Sequence, residues 1–100
     1  MSTPSHALLV RFKSALPFAE VERLCNERAP EFRALSGLQQ KYYLHDPVSD
    51  EVAGFYLWES AEALQAYSES ELKASIAAAY QALTPPRIEV YEVLMPLREG

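Results

Sequence analysis

The stretch "AGFYLWES", residues 53–60, predicts a strand that runs directly into a helix. Side chains alternate between the two faces of a strand, so Phe55 and Leu57 share one face. Tyr56 and Trp58 share the other. An antiparallel sheet with one face in water carries apolar residues on one side and polar residues on the other. This strand is apolar on both sides, so we expect both faces of the sheet to be covered.

Three further strands are predicted around it. Short apolar or alternating runs indicate strands at "HALLVRF" (6–12), "LQQKYYLH" (38–45) and "RIEVYEVLM" (87–95). The opening strand itself extends over 52–58, and the turn-forming "DPVSD" before it predicts a hairpin with the preceding strand. Gly54 inside this strand predicts a bulge or a close backbone approach.

The first helix is predicted from Pro17 to Leu35, where apolar residues recur with a helical period. Pro30 lacks an amide donor and crowds the preceding turn, so we expect a kink or break near Ala29. Gly37 is expected to end the helix in the left-handed conformation that glycine adopts at low cost.

A second helical region is predicted between the third and fourth strands. Ser60 can cap it, and "SESE" at 68–71 matches a capping box, which predicts a further helical segment with an apolar stripe as far as Leu83. The order strand, helix, strand, strand, helix, strand predicts a ferredoxin-like α+β sandwich. In this fold both helical regions cover one face of a four-stranded antiparallel sheet, and we expect residues 1–100 to form one domain.

Composition restricts the kinds of partner. The net charge is −5 and the basic residues are scattered, which argues against a nucleic-acid partner. No apolar segment approaches the length that crosses a bilayer, so we expect no membrane association. The single cysteine, Cys25, cannot form an internal disulfide, which fits a reducing compartment and predicts a cytoplasmic location. Its place on the apolar stripe of the first helix indicates a structural role.

The face of the sheet away from the helices is expected to be rich in aromatic residues. Alternation along the four strands, phased from the sequence, predicts that this face carries Leu9, Arg11, Tyr43, His45, Tyr56, Trp58, Glu89 and Tyr91. So many aromatic side chains on one face would form a large exposed apolar patch, and such patches mark interfaces or ligand grooves. We therefore expect a homodimer packed face to face around an apolar cavity that holds a small hydrophobic or aromatic ligand.

Three stretches then resemble a known family: "PF" at 17–18, "GLQQKYY" at 37–43 and, most specifically, "AGFYLWESAEALQAY" at 53–67. In order and spacing the chain is similar to the YdhR-like monooxygenases of the dimeric α+β barrel superfamily. The resemblance implies a ferredoxin-like subunit and a homodimer built around a barrel. It also implies cofactor-independent oxygenation of a small phenolic or polycyclic aromatic substrate.

No cofactor or metal site is predicted. His6 and His45 lie on different strands, no metal-binding spacing is present, and the three glycines form no phosphate-binding loop. Haem-degrading enzymes of the same superfamily have a similar strand-to-helix passage, but Ala77 stands where the resemblance would place their iron-ligating histidine. Haem needs an axial ligand from the protein, so haem is not expected.

For the chemistry we hypothesise that Arg11 and Tyr43 stabilise a phenolate or enolate and that His45, or a tyrosine, acts as the base. Two structural readings stand beside this one: Arg11 can simply pair with Glu89, and the aromatic residues can simply form a dimer core. The residues expected to bind substrate are Tyr56, Trp58, Tyr67, Glu89 and Tyr91. A non-catalytic ligand-binding or stress-related dimer is the alternative function, and isomerase or lactone chemistry on the same fold stays open.

Overall fold

The fold is a four-stranded antiparallel sheet covered on one face by helices, which confirms the predicted ferredoxin-like class. It is seen in a computed structural model that describes residues 3–98. The sheet has the order β2-β3-β1-β4. In chain order the elements are β1 (His6–Phe12), α1 (Phe18–Arg33), β2 (Leu38–His45), β3 (Val52–Trp58), α2 (Ala61–Ser68), α3 (Glu71–Ala74), α4 (Ile76–Ala79) and β4 (Arg87–Glu92).

The pairing of β1 with β3 decides which residues form the core. Leu8 lies opposite Tyr56 and Val10 lies opposite Gly54. Opposed residues of an antiparallel pair share a face, so Tyr56 and Trp58 join Leu8 and Val10 under the helices. Trp58 is 0% exposed and Tyr56 is 1% exposed. The prediction that these two aromatic residues lie on the face away from the helices was wrong.

Strand β2 follows the same phase. Lys41 lies opposite Tyr56, Tyr43 opposite Gly54 and His45 opposite Val52, so all three of these β2 side chains lie on the helix face. The predicted placement of Tyr43 and His45 on the other face was therefore also wrong. The error has a physical origin: β3 is apolar on both sides, and only its register with β1 fixes which side packs on the helices.

The opposite side of the sheet, which we call the open face, carries Leu9, Arg11, Tyr42, Leu44, Phe55, Leu57, Glu89 and Tyr91. The predicted placement of Leu9, Arg11, Glu89 and Tyr91 on this face was correct, because Glu89 lies opposite Leu9 and Tyr91 opposite Ala7. Tyr42 is 53% exposed and Tyr91 is 50% exposed. The second face is thus as apolar as expected, with different residues from β2 and β3.

A kink or a break was predicted near Ala29, and helix α1 runs without a break through Pro30, so the predicted break was wrong. Proline has no amide hydrogen, so one backbone hydrogen bond of the helix is not made at Pro30. Pro30 is exposed, so this missing bond lies on the solvent side of the helix. Val21 and Phe32, one on each side of Pro30 in the sequence, are both buried in the core. Packing of both halves on the sheet therefore maintains the helix.

The second helical region consists of three short helices rather than one long one. Ser60 caps α2 by accepting a hydrogen bond from Ala63 N at 3.1 Å, as predicted. The cap of α3 is Ser70, which accepts from Lys73 N at 3.2 Å, so this helix begins two residues later than the capping box at Ser68 predicted. Helix α4 ends at Ala79, so the stripe predicted to reach Leu83 stops early.

None of these helices is long and apolar enough to cross a membrane, as far as residues 3–98 are concerned. The cytoplasmic location stays a prediction that rests on the cysteine content.

Gly37 holds the turn between α1 and β2. Its φ is +81°, and a Cβ built there would lie 2.4 Å from Ala63 Cβ of α2. Its carbonyl accepts a hydrogen bond from Glu59 N at 2.9 Å, which ties the turn to the start of α2. Gly37→Ala therefore adds backbone strain and a steric clash, and we expect a loss of about 2–4 kcal/mol in the free energy of unfolding.

Urea unfolding measures this loss, with Ser36→Ala in the same turn as the matched control, because Ser36 is exposed. A Gly37→Ala protein that unfolds at the wild-type urea concentration would contradict the close approach of this turn to α2.

Candidate active site

A cavity of about 340 Å³ lies on the helix-covered face of the sheet, between α1 and strands β2 and β3. We call it the Lys41 cavity. This volume suits a small organic ligand. Its aromatic and sulfur-bearing lining residues are Phe12, Phe18, Cys25, Phe32, Tyr43, Tyr56 and Tyr80. Glu22, Asn26 and Arg33 also line it and are exposed, so the cavity opens to solvent along α1.

The residues that line the cavity recur in the sequence with the period of a helix in α1 and with the period of a strand in β2. Helix α1 contributes Phe18, Val21 and Cys25 with the spacing of one helix face, while β2 contributes Lys41, Tyr43 and His45 at every second residue. The bulge that was predicted at Gly54 lies instead in β2, between Leu38 and Gln40.

Gly54 provides the space for the lysine. A Cβ at this position would lie 2.9 Å from Tyr56 Cε1 and 3.1 Å from Lys41 Cε. The close approach predicted at Gly54 is therefore confirmed, and it is made by two side chains that pack over the bare backbone. Any larger residue would push the lysine from its position.

Lys41 is the unusual residue of the cavity. Its Nζ lies 3.4 Å from the centroid of the Phe32 ring, 4.4 Å from that of Tyr43 and 4.5 Å from that of Tyr56. Within residues 3–98 no carboxylate lies within 4.0 Å of it, since the ion pairs found there involve Arg11, Arg23 and His45. Burial lowers the pKa of the Lys41 ammonium to about 7.

A second cation lies behind this cavity wall. The Arg28 guanidinium donates from Nη2 to Ser75 Oγ at 2.5 Å and lies 5.4 Å from the centroid of the Tyr80 ring. Its Nη1 is buried and has no hydrogen-bond partner among the described residues. Its positive charge lowers the pKa of Lys41 further, while Cys25 opposes this effect. The interior is thus electropositive in a protein whose net charge is −5.

Tyr43 and His45, two of the three predicted catalytic residues, do line the cavity with Lys41. Burial raises the pKa of the Tyr43 hydroxyl, so this group stays protonated and can donate a hydrogen bond. The His45 ring lies 4.3 Å from the Phe18 ring, centroid to centroid, and His45 Nε2 lies 2.9 Å from Asp50 Oδ1. His45 therefore sits at the edge where α1 meets the β2–β3 hairpin.

Arg11, the third predicted catalytic residue, does not line the Lys41 cavity. It lies on the open face, with Nη2 donating to Asp46 Oδ2 at 2.8 Å and Nε donating to Glu51 Oε1 at 2.9 Å. The hydrogen bond that Arg11 donates to Glu51, together with the negative charge of Glu51, raises the pKa of Arg11. Two carboxylates already neutralise this guanidinium and it does not line the Lys41 cavity, so its role in binding a substrate anion stays a prediction.

The predicted substrate-binding residues divide in a similar way. Tyr56 lines the cavity, but Trp58 and Tyr67 lie in the core beside it, with ring centroids 5.2 Å apart. The hydroxyls of Tyr56 and Tyr67 share a hydrogen bond of 2.9 Å, and burial raises the pKa of Tyr67 to about 12.

Glu89 and Tyr91 pair with each other on the open face, where Tyr91 Oη donates to Glu89 Oε2 at 2.6 Å. The alternative pairing of Glu89 with Arg11 is therefore also wrong, because Arg11 pairs with Asp46 and Glu51.

Sequence reasoning missed Lys41 itself. The signal was present in "KYYLH" (41–45), because period-two spacing puts Lys41 on the same face as the two predicted residues Tyr43 and His45. Only the wrong choice of face concealed that this lysine would be buried among aromatic rings. No group of three or more His, Cys, Asp or Glu that could hold a metal occurs among residues 3–98.

Comparison with known proteins identifies the family of this chain. The profile of the family described as "Putative mono-oxygenase ydhR" matches residues 7–99. The chain belongs to this family, which confirms the resemblance seen in the sequence. No curated protein matches the chain by sequence.

Several solved structures share the fold. A protein of unknown function from Nitrosomonas europaea superimposes with a TM-score of 0.77 at 22% identity, covering 100% of this chain and 99% of the other. SnoaB, a cofactor-independent oxygenase from Streptomyces nogalater, gives 0.75 at 18% identity, covering 96% and 99%. A monooxygenase from the gene ActVA-Orf6 of Streptomyces coelicolor, in complex with Nanaomycin D, gives 0.74 at 16% identity, covering 97% and 94%.

Proposed function

We propose that this protein is a cofactor-independent monooxygenase that oxidises a small phenolic or polycyclic aromatic compound in the Lys41 cavity. The observation that carries the proposal is the combination of aromatic walls with an amine that has no carboxylate partner among the described residues. Aromatic rings can pack on the walls, and a substrate anion would supply the charge that balances Lys41. The family and the two Streptomyces oxygenases of the same fold support this class of reaction.

The first step is removal of a proton from the substrate. The neutral Lys41 amine accepts the acidic O–H or C–H proton of a phenol or anthrone, and the ammonium so formed pairs with the substrate anion in a site of low dielectric. Lys41 thus takes the role of base that was predicted for His45. It also takes the anion-stabilising role that was predicted for Arg11.

Oxygen then reacts with the electron-rich anion. Two electrons from the substrate carbon form the new C–O bond, and a returned proton completes a hydroperoxide. Loss of the remaining C–H proton with cleavage of the O–O bond leaves a carbonyl in the product and releases the second oxygen as water. The Tyr43 hydroxyl, held protonated by burial, is placed in the cavity to donate to the departing oxygen.

Oxygen uptake by the purified, chelator-treated protein tests this proposal against a panel of anthrones and quinols. The expected result is uptake that follows protein concentration, with one oxygen molecule consumed for each carbonyl formed. Arg11→Met is the control and is expected to retain the wild-type rate, because Arg11 lies on the opposite face of the sheet. If no compound supports uptake but one quenches Trp58 fluorescence, the cavity binds ligands without catalysis, as in the alternative function.

We also propose that a second copy of the chain covers the open face. Its apolar side chains lie on all four strands, and Tyr42, Leu44 and Tyr91 are each about half exposed. A symmetric dimer buries the same patch on both copies, which removes this apolar area from water without requiring a different partner.

Phe55→Glu is expected to disrupt this dimer, because Phe55 lies on β3 in the interior of the sheet and the change would bury an unpaired charge. The loss should reach about 2–4 kcal/mol of association energy, roughly a 30- to 1,000-fold rise in Kd. Sedimentation equilibrium measures it, with Val48→Glu as the control, since Val48 is 95% exposed at the hairpin turn. A wild-type protein that is monomeric at micromolar concentration would overturn the dimer proposal but not the cavity proposal.

A further inference from the structure

The Lys41 cavity holds an amine in surroundings that favour nucleophilic attack as well as proton transfer. We propose that Lys41 Nζ captures aromatic aldehydes that enter the cavity and forms a covalent imine with them. The reaction needs no oxygen and leaves the aldehyde at the same oxidation level, so it is an activity distinct from the proposed oxygenation. The ligand class is an aryl aldehyde whose ring packs against the aromatic walls of the cavity.

The Lys41 amine lies among aromatic side chains. Three aromatic rings, those of Phe32, Tyr43 and Tyr56, surround Nζ, with their centroids within 4.5 Å. A flat aryl group in the cavity would therefore bring a carbonyl attached to it close to the amine. Most lysines extend their ammonium into water, whereas the aliphatic part of this one packs over Gly54 and its amine stays inside.

The charges around the amine favour its neutral form. The charged and titratable groups that face Lys41 or line the cavity with it are Glu22, Cys25, Arg28 and Arg33 of α1, Tyr43 and His45 of β2, Tyr56 of β3 and Tyr80 after α4. Glu22 is the one carboxylate among these described residues; it is exposed and forms no ion pair with Lys41 that would hold the amine as an ammonium ion. Burial and the Arg28 charge bring the pKa of Lys41 to about 7, so a large fraction of the amine is the reactive, neutral form at physiological pH.

The chemistry balances with groups in the cavity. The Nζ lone pair attacks the carbonyl carbon, a proton passes from nitrogen to the carbonyl oxygen, and a carbinolamine forms. A second proton, for which the Tyr43 hydroxyl is a suitable donor, converts the carbinolamine hydroxyl into water, which leaves as the C=N bond forms. The proton that remains on nitrogen then returns to the Tyr43 oxygen, which gives the neutral imine and restores the hydroxyl. The aldehyde is the only co-reactant, and one water is released for each imine.

The lysine content of the chain makes a sharp test possible, since it has only three lysines, Lys13, Lys41 and Lys73. The wild-type protein is incubated without oxygen with naphthaldehyde and sodium cyanoborohydride, and peptide mapping by mass spectrometry follows each lysine. We expect reductive alkylation at Lys41 at least about tenfold faster than at Lys73 at pH 7, because a lysine of ordinary pKa is almost fully protonated there. This comparison within one molecule does not depend on how any variant folds.

Two controls separate the amine from its surroundings. Lys41→Arg keeps the charge but cannot form the imine, so the total labelling of this variant should fall to what Lys13 and Lys73 contribute. Lys73→Arg should leave the labelling of Lys41 unchanged. Propanal in place of naphthaldehyde should reduce the preference for Lys41, because it cannot pack on the aromatic walls.

Equal labelling of the three lysines by naphthaldehyde would overturn the proposal. Because oxygen is absent, this result is independent of whether the protein is an oxygenase.

Discussion

Lys41→Met is expected to lower kcat/KM for oxygen uptake by roughly 10²–10⁴-fold, the range found when a general base is lost. Methionine preserves the length and apolar character of the side chain, so it fills the space between Phe32 and Gly54 while removing the amine. The substrate then has no base beside it and no cation to balance its negative charge. Initial rates of oxygen consumption with an anthrone substrate measure the effect.

The matched control is Lys73→Met, on α3 and outside the lining of the cavity, which should retain the wild-type rate. Removing the buried amine should also leave the protein at least as stable as the wild type, because it removes the desolvation cost of the ammonium. A loss of activity therefore cannot be assigned to unfolding if the urea midpoint is unchanged or higher. A Lys41→Met enzyme within threefold of the wild-type rate would refute the role of this lysine.

The same residue predicts a pH dependence. The neutral amine is the base, and the pKa of Lys41 lies at about 7, so the rate should rise as the pH passes through 7 and then level off. Stability should change in the same direction: from pH 7 to the ordinary lysine pKa of about 10.4, the unfolded chain binds a proton that the folded protein has released. The contribution of Lys41 to stability therefore increases with pH over this window. Both trends should be absent in Lys41→Met.

The strands were predictable because their signals are local. The bounds of β1, β2 and β3 agree with those expected from apolar runs and turn residues. The choice of face was not local, since Tyr56 and Trp58 on one side of β3 are as apolar as Phe55 and Leu57 on the other. The register of β3 with β1 determines which face of β3 packs on the helices, and this register depends on the pairing of the whole sheet.

The site depended on this choice and on contacts between distant residues. Once β3 is phased correctly, Lys41, Tyr43 and His45 come under α1, but nothing in "QKYYLH" shows that Lys41 lacks a carboxylate partner. Likewise, Arg11 looked unpaired in the sequence because its partners Asp46 and Glu51 lie on the β2–β3 hairpin, more than 30 residues away. Burial and charge pairing of this kind are tertiary properties, which explains why the sequence did not predict a cavity between the helices and the sheet.

Trp58→Ala is expected to give the largest loss of stability among core substitutions, about 3–5 kcal/mol, because it removes a large aromatic side chain that is fully buried. The Trp58 ring stacks on Tyr56 at a centroid distance of 6.1 Å and contacts the Tyr67 ring at 5.2 Å. Both tyrosines would lose a packing partner over the cavity left behind. A domain of this size is stable by only about 5–15 kcal/mol, so the variant should be marginally folded.

Urea unfolding followed by far-ultraviolet circular dichroism, at one protein concentration, measures this loss without relying on tryptophan fluorescence. Trp58→Phe is the matched control: the indole Nε1 has no hydrogen-bond partner among residues 3–98, so its replacement loses ring volume but no hydrogen bond found there. We expect it to cost less than half as much.

The two substitutions also decide the phase of β3. If Trp58 pointed away from the helices, as its place in an alternating aromatic strand first indicated, Trp58→Ala would mainly weaken dimerisation and leave unfolding of the monomer nearly unchanged. A large loss that persists in the Phe55→Glu background would place Trp58 in the core under α2, with Phe55 on the opposite side of the sheet.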